Sequence, residues 1–245
     1  MRQLGGESIV LGQQDVGLGQ REWVADVARA LSGYVDVIAA RTYRHQTVME
    51  LAQYASVPVI NGLTDREHPC QVIADLLTIQ EHFGELNGRT LTYVGDGNNV
   101  ASSLLLVGPL VGMNVAVASP VGYAPSAEIL RQASDLAAEH GTWVELGHTP
   151  ETLVKTADVI YADAWYSMGQ EHEAQVRQSV FRPFQVNDRL MRQAPAHAMA
   201  MHCLPAHRGD EITDEVLDGA RSLAFQQAAN RLPAQKAILL CVLDL

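Results

Sequence analysis

The stretch TLTYVGDGNNV, residues 90–100, joins a β-rich run, a glycine-rich turn and the start of a helical pattern. Residues 90–94 are β-branched, aromatic or apolar, which is typical of a buried strand. Gly95 and Gly97 follow at once, where a tight turn needs conformational freedom. A strand that turns directly into a helix is the repeating unit of α/β folds, so this stretch favours that class.

The same alternation extends in both directions from this stretch. Several of the other β-rich runs are almost continuously apolar, as expected of parallel strands covered by helices on both faces. The runs that we interpret as strands are SIVLG (8–12), VDVIAAR (35–41), VPVIN (57–61), NVAVAS (114–119), WVEL (143–146), DVIYAD (158–163), AMAMHC (198–203) and SLAFQ (222–226). The pattern predicts an α/β protein with parallel sheets flanked by helices.

A division of the chain is predicted near Gly84. Residues 69–83 form an amphipathic helical pattern with Pro69 at a favourable first position and Gly84 at the stop. The polar segment after it suits a domain boundary, so we predict a first domain of residues 1–84 and a second of residues 85–231. The apolar end, residues 232–245, is predicted to be a helix that returns to bury its face against the first domain.

Composition excludes several classes of partner. The 245 residues are 47% hydrophobic and 18% charged, with a formal net charge of −11. Nucleic acid is not expected, because proteins that bind its backbone concentrate Lys and Arg. No apolar run approaches the roughly 20 residues that cross a bilayer, and the first residues do not resemble a secretory signal. Cys70, Cys203 and Cys241 are few, distant and without metal-ligand spacing, which favours a reducing, cytoplasmic location and no metal site.

Polar residues at strand ends are the candidate site, because ligands of open parallel sheets bind beyond the carboxyl ends of the strands. These residues are Arg41, His68, Gln71, Asp96, Asn98, Asn99, Asp163, His202 and Cys203. Taken singly, each also fits an ordinary role. Arg41 suits a surface ion pair, His68 and Asp163 suit helix caps, and Cys203 suits a small buried apolar position.

The glycine turn does not complete a nucleotide-binding fingerprint. Gly95 and Gly97 match its first two glycines, but Val100 stands in place of the third. The next strand ends in Ala-Ser-Pro, residues 118–120, where an acid would bind a ribose. The chain also has no GxxxxGK[ST] loop and no GxSxG elbow, so we expect neither a nucleotide cofactor nor a serine hydrolase.

Four segments together resemble the ornithine carbamoyltransferases, in that family's order and spacing. They are HPCQVIADLLTIQEHFG (68–84), GDGNNVASSLL (95–105), DAWYSMGQE (163–171) and HCLPAHRGDEIT (202–213). The resemblance implies two α/β domains, one for carbamoyl phosphate and one for L-ornithine, with the last helix returning to the first domain. It further implies a homotrimer, no cofactor, and transfer of a carbamoyl group to the ornithine side-chain amine to give citrulline and phosphate.

The resemblance also assigns roles by motif. The residues implied to bind carbamoyl phosphate are Arg41, His68, Pro69, Cys70, Gln71, Cys203, Leu204 and Arg231. Those implied to bind ornithine are Asn99, Asp163, Ser167 and Met168. Cys203 and Leu204 are implied to lie where the substrates meet, and the catalytic set is Arg41, His68, Cys203 and Asp163. A guanidinium and an imidazole suit the oxyanion that forms when an amine attacks a carbonyl.

One element of the family pattern is missing from these residues. A serine-threonine-arginine-threonine-arginine run that binds phosphate is expected before MRQLGG and does not occur anywhere in the sequence. Gly17, Trp23, Ala229 and Pro233 also depart from the pattern, and Ala229 is close to Arg231. We therefore expect an N-terminally truncated chain of impaired activity. Two alternatives are a non-catalytic paralogue that binds ornithine or joins trimers, and a carbamoyltransferase for another amine.

Overall fold

The computed structural model describes residues 1–166 and 173–244, which form two compact units. Unit 1 comprises Met1–Cys70 together with the segment that starts at Arg231, and unit 2 comprises Gln71–Asn230. The terminal segment belongs to the same unit as the first residues of the chain. None of the described helices is long and apolar enough to cross a membrane.

Unit 1 contains a small parallel sheet and its helices. Strand β1 (Ile38–Arg41) pairs with β2 (Val59–Leu63), and Ile38 lies opposite Val59. The helices are α1 (Gln13–Val16), α2 (Val24–Leu31) and α3 (His45–Tyr54), with a 3₁₀ turn at Arg2–Leu4. A compact apolar cluster joins α2, β1 and α3 through Val24, Ala28, Ala40, Val48 and Leu51.

The predicted strand SIVLG, residues 8–12, is wrong. These residues have no regular secondary structure, and Ile9 and Val10 are 70% and 87% exposed. A strand is stable only when its backbone groups pair with a neighbour. Among the described residues of unit 1, β1 and β2 pair with each other and neither pairs with residues 8–12.

Unit 2 is built on a five-stranded sheet in the order β5-β4-β3-β6-β7, all of whose neighbours are parallel. The strands are β3 (Thr90–Val94), β4 (Asn114–Ala118), β5 (Val144–Gly147), β6 (Val159–Ala162) and β7 (Met199–His202). Successive strands add outward from β3 on one side and from β6 on the other. The carboxyl ends of β3 and β6 are therefore the switch point at which such sheets bind ligands.

Helices cover both faces of this sheet. They are α4 (Pro69–Phe83), α5 (Asn99–Leu110), α6 (Ala127–His140), α7 (Pro150–Leu153), α8 (Ala174–Phe181), α9 (Asp188–Met191), α10 (Asp214–Leu217) and the first part of α11 (Ala224–Val242). Short 3₁₀ turns occur at Val154–Thr156 and Arg182–Phe184. Alternate residues of β3, β4, β6 and β7 supply the two cores. Tyr93 and Tyr161 face one core, while Val94 and Ile160 face the other.

The division between the units falls in the first turn of α4, earlier than the predicted boundary at residue 84. The physical reason is that α4 packs on unit 2. Val72 and Ile79 are fully buried in one cluster with Leu91 and Tyr93. A polar connecting segment marks the end of a helix in the sequence but does not show which sheet the helix covers.

The predicted strand SLAFQ, residues 222–226, is also wrong, because α11 begins at Ala224. Only Ser222 and Leu223 run beside β7, where the Leu223 N–H donates to the Ala200 carbonyl at 2.8 Å. The predicted terminal helix is correspondingly the second part of α11, which continues through Pro233 to Val242.

Candidate functional site

The carboxylate of Asp163 is the centre of the candidate site in unit 2. Asp163 follows β6, is 8% exposed, and accepts hydrogen bonds from three donors. Cys203 Sγ and the Ala164 N–H donate to Oδ1 at 2.9 and 2.8 Å, and Asn98 Nδ2 donates to Oδ2 at 2.7 Å. Side chains from the ends of β3, β6 and β7 thus meet at the switch point.

Asn98 fixes this arrangement through a second role as the N-cap of α5. Its Oδ1 accepts from the backbone N–H groups of Val100 and Ala101 at 2.9 and 3.2 Å, and from the Tyr93 hydroxyl at 3.2 Å. Because the oxygen faces these donors, the amide nitrogen faces Asp163. The resemblance assigns ornithine binding to Asn99, which is the first residue of α5. The contact to Asp163 comes from Asn98, and the preference for Asn before a helix is the sequence signal that points to it.

Cys203 is a protonated thiol in this site. Burial raises the pKa of Cys203 well above its ordinary range, and the neighbouring negative charge of Asp163 raises it further. The hydrogen bond to Asp163 requires the proton to be on sulfur. The geometry therefore favours Cys203 as a hydrogen-bond donor over a thiolate nucleophile.

Leu204 is held by a buried relay behind the site. Its N–H donates to His202 Nδ1 at 2.8 Å, so the His202 proton lies on Nε2 and faces Glu211 Oε1 at 3.2 Å. Glu211 also accepts the His207 N–H at 2.5 Å. This relay holds Leu204 at a φ of 58°, a left-handed conformation that is uncommon for a branched side chain.

Asp96, another strand-end candidate, is engaged by an arginine. Arg177 Nη1 lies 2.9 Å from Asp96 Oδ2 and also donates to the Trp165 carbonyl at 2.9 Å. Burial raises the pKa of Asp96 to about 6, although the Arg177 charge acts in the opposite direction. Through this ion pair, Asp96 holds Arg177 against the Trp165 carbonyl beside the site.

Two predicted ornithine-binding residues, Ser167 and Met168, lie outside the residues that the structure describes.

The glycine turn is sterically closed to a nucleotide phosphate. A Cβ on Gly97 would lie 2.5 Å from Cδ of Pro125 and would overlap the backbone that joins Ala124 to Pro125. The Gly97 N–H donates to the Tyr123 carbonyl at 2.8 Å, so the loop before α6 occupies the space in front of this amide. The turn uses its glycine for packing, which explains the incomplete fingerprint in physical terms.

Unit 1 contains a group of cationic candidate residues of its own. Arg41 ends β1, His68 directly precedes α4, and Arg231 is the first residue of the terminal segment of this unit. Burial lowers the pKa of His68 to about 4, and the positive charges of Arg231 and Arg41 lower it further. The positive charges of two arginines that are predicted to bind phosphate thus act on the imidazole of His68, which is neutral.

The residues after His68 have structural partners. Pro69 is the first residue of α4, where its missing N–H costs no hydrogen bond. Cys70 Sγ donates to the Asn61 carbonyl at 3.3 Å, and Gln235 Nε2 donates to the Cys70 carbonyl at 3.0 Å. Burial raises the pKa of Cys70, which keeps its thiol protonated.

The lowered pKa of His68 predicts a pH-dependent loss of stability. The imidazole has a pKa near 6.5 in the unfolded chain and about 4 in the folded chain. As the pH falls, the unfolded chain therefore takes up this proton before the folded chain does, which favours unfolding. The stability that it contributes is present above pH 6.5 and is lost as the pH falls towards 4. We expect the wild type to lose about 2 kcal/mol more than His68→Gln between pH 7 and pH 5, measured by urea unfolding. Equal losses in the two proteins would contradict the assignment.

Comparisons with known proteins agree across the whole chain. The carbamoyl-P binding domain of aspartate/ornithine carbamoyltransferase matches residues 1–81, and the Asp/Orn binding domain of the same family matches residues 87–242. The ornithine carbamoyltransferase of Anoxybacillus flavithermus is 53% identical over 243 residues, which are 99% of this chain and 77% of that protein. The anabolic ornithine carbamoyltransferase of Pyrococcus furiosus is also 53% identical, with the same two coverages.

Solved structures give the same result. The ornithine carbamoyltransferase structure from Pyrococcus furiosus matches with a TM-score of 0.96 at 53% identity, covering 100% of this chain and 78% of that one. The anabolic enzyme from Campylobacter jejuni matches with a TM-score of 0.92 at 36% identity, covering 99% and 80%. The chain therefore belongs to the aspartate/ornithine carbamoyltransferase family.

Proposed function

We propose that this chain is an ornithine carbamoyltransferase, which transfers the carbamoyl group of carbamoyl phosphate to the δ-amine of L-ornithine and yields L-citrulline and phosphate. The observation that carries the proposal is the Asp163 carboxylate, held by Cys203, Asn98 and the Ala164 N–H. A fixed carboxylate at the switch point suits the ammonium group of an amino acid. Relatives that bear this name match nearly the whole chain.

The cationic groups of unit 1 support the carbamoyl phosphate half of the proposal. Arg41 and Arg231 supply positive charge for the phosphate, and the lowered pKa keeps His68 neutral at physiological pH. A neutral imidazole still has one N–H, so His68 acts as a hydrogen-bond donor to the carbonyl oxygen. Gln71 completes the residues that we assign to this substrate within the HPCQ motif.

The chemistry requires no covalent intermediate on the protein. The lone pair of the neutral δ-amine attacks the carbonyl carbon, which forms the new C–N bond and places negative charge on oxygen. Arg41 and His68 stabilise this oxyanion. Collapse breaks the C–O bond to phosphate, which leaves with the bonding electron pair, and the nitrogen of the attacking amine gives its extra proton to the departing phosphate. Cys203 remains a thiol throughout, and Leu204, Asn99, Ser167 and Met168 complete the substrate contacts that we propose.

The turnover of a polypeptide of residues 1–245 is proposed to be impaired. These residues contain no serine-threonine-arginine-threonine-arginine run, so the proposed phosphate contacts depend on Arg41 and Arg231. Phosphate binding is weaker when fewer cations take part, because each charge-assisted hydrogen bond contributes about 1.5–3 kcal/mol.

We further propose that the protein is a homotrimer and that it is located in the cytoplasm. Sedimentation analysis of the purified chain tests the trimer.

Citrulline formation tests the proposal directly. We expect ornithine to be preferred as the acceptor over lysine and putrescine. We also expect Arg41→Gln to lower kcat/KM for carbamoyl phosphate about 100-fold, because Arg41 stabilises the oxyanion. Arg44→Gln is the matched control, because Arg44 lies three positions later, just before α3, and has no assigned role. A preference for another amine would show that this amine, and not ornithine, is the acceptor. Ornithine binding without any citrulline would support a non-catalytic paralogue.

A further inference from the structure

Gln235 links the second part of α11 to the start of α4 within unit 1. Its Nε2 donates to the Cys70 carbonyl at 3.0 Å, and both residues belong to this unit. Cys70 is buried and is held on a second side, because its Sγ donates to the carbonyl of Asn61 on β2 at 3.3 Å. The backbone at Cys70 is therefore fixed between a strand and a helix of the same unit.

Gln235 and Arg231 lie on the same face of α11. They are four residues apart, and such residues are one helical turn from each other, with Cβ atoms about 5–6 Å apart. The positive charge of Arg231 acts on both His68 and Cys70. A single turn of α11 thus supplies the hydrogen bond to Cys70 and the charge that acts on the residues beside that bond.

Pro233 leaves the backbone around Arg231 with one hydrogen bond fewer than a regular helix has. It lies inside α11 and has no N–H that could donate to the carbonyl four residues earlier. That missing bond would span Arg231. The placement of Arg231 therefore depends more on contacts outside the helical backbone, and the side chain of Gln235 provides one of them one turn away.

We propose that Gln235 is a positioning residue for carbamoyl phosphate binding, whose hydrogen bond to the Cys70 carbonyl sets the separation between Arg231 and His68. This inference rests on the proposed function, in which Arg231 and His68 both contact carbamoyl phosphate. His68 is two residues from Cys70 in the chain, and Arg231 is one turn from Gln235, so the bond closes a loop between them. Both residues also make contacts of their own, so Gln235 adjusts a separation that those contacts help to define. One ligand that uses an arginine and an imidazole together requires them at a fixed distance.

Gln235→Met is the informative variant, because it removes the amide but keeps an unbranched side chain of similar length and good helix propensity. We expect the Kd of carbamoyl phosphate, measured by calorimetry on the full chain, to rise about fivefold to tenfold. Gln226→Met is the matched control on the same helix, where the amide donates to Glu81 at 2.9 Å. It should change this Kd by no more than about twofold. An unchanged Kd in a folded Gln235→Met protein would overturn the proposal.

The pKa of His68, followed by NMR of its imidazole, tests the positioning without any ligand. Burial and then the charge of Arg231 lower this pKa in the wild type, so a larger separation in Gln235→Met should raise it. In an Arg231→Gln background the same substitution should leave the pKa unchanged, because the charge is already gone.

A rise of equal size in both backgrounds would show that the burial of His68 has changed and its separation from Arg231 has not, which would overturn the proposal. If carbamoyl phosphate does not bind the wild type, the proposed function fails. A rise in the pKa of His68 that requires Arg231 would then still support the positioning by Gln235, and an unchanged pKa would contradict it.

Discussion

Replacing Asp163 with Asn is expected to lower kcat/KM for ornithine by about 100-fold to 1,000-fold. The carboxylate accepts from Cys203, Asn98 and the Ala164 N–H, and an amide cannot accept from both sides. One of the three donors would then face the new NH₂ group. The substitution also removes the negative charge that attracts the ammonium group of the substrate, so both binding and orientation are lost.

The same change should weaken ornithine binding measured by calorimetry, which reports the effect even when turnover is slow. Asp135→Asn is the control, since Asp135 is an exposed carboxylate on α6 paired only with Arg131 among the described residues. It should change neither quantity by more than about twofold, as expected for an exposed ion pair. An effect of Asp163→Asn no larger than that of Asp135→Asn would remove Asp163 from the site.

Gly97→Ala is expected to destabilise the protein by about 3 kcal/mol, because the added methyl overlaps the backbone at Ala124–Pro125. The obstacle is main chain, so a side-chain rotation cannot relieve it. Tm should fall by about 6–12 °C for a chain of this size, measured by calorimetry or circular dichroism.

A second glycine provides the reference for this stability measurement. A Cβ on Gly33 would meet only the Ala30 carbonyl oxygen, at 3.4 Å, which is ordinary van der Waals contact. Gly33→Ala should change the free energy of unfolding by less than about 0.5 kcal/mol. A Gly97→Ala protein as stable as Gly33→Ala would show that the loop before α6 moves away easily, and the steric closure of the turn would no longer hold.

The central strands that the sequence predicts well are buried from both sides. Tyr161 and Val94 belong to runs that are largely apolar, and such runs identify central parallel strands. The two wrong strands fail for a different reason. Residues 8–12 have the composition of a strand but no neighbouring strand, and Ser222 begins a short extended segment that a helix soon replaces. Whether a strand finds a partner, and where it ends, depend on residues elsewhere in the chain. A local sequence pattern carries no information about those residues.

The candidate site shows the same limit at the level of single residues. Asp163 and Cys203 can be predicted because they follow strands and belong to recognisable motifs. Gln235 cannot, since its contact with Cys70 joins positions 165 residues apart and has no local signal. Polar side chains of this kind support the residues that motifs reveal, and only the three-dimensional arrangement shows which of them do so.

The double role of Asn98 constrains how this enzyme family can evolve. One end of its amide starts α5 and the other end holds Asp163, so almost any substitution at this position sacrifices helix stability together with the site. Natural variation and laboratory selection for a new amine acceptor should therefore leave Asn98 unchanged. New specificity should arise at positions that touch the substrate without also serving as the first turn of a helix.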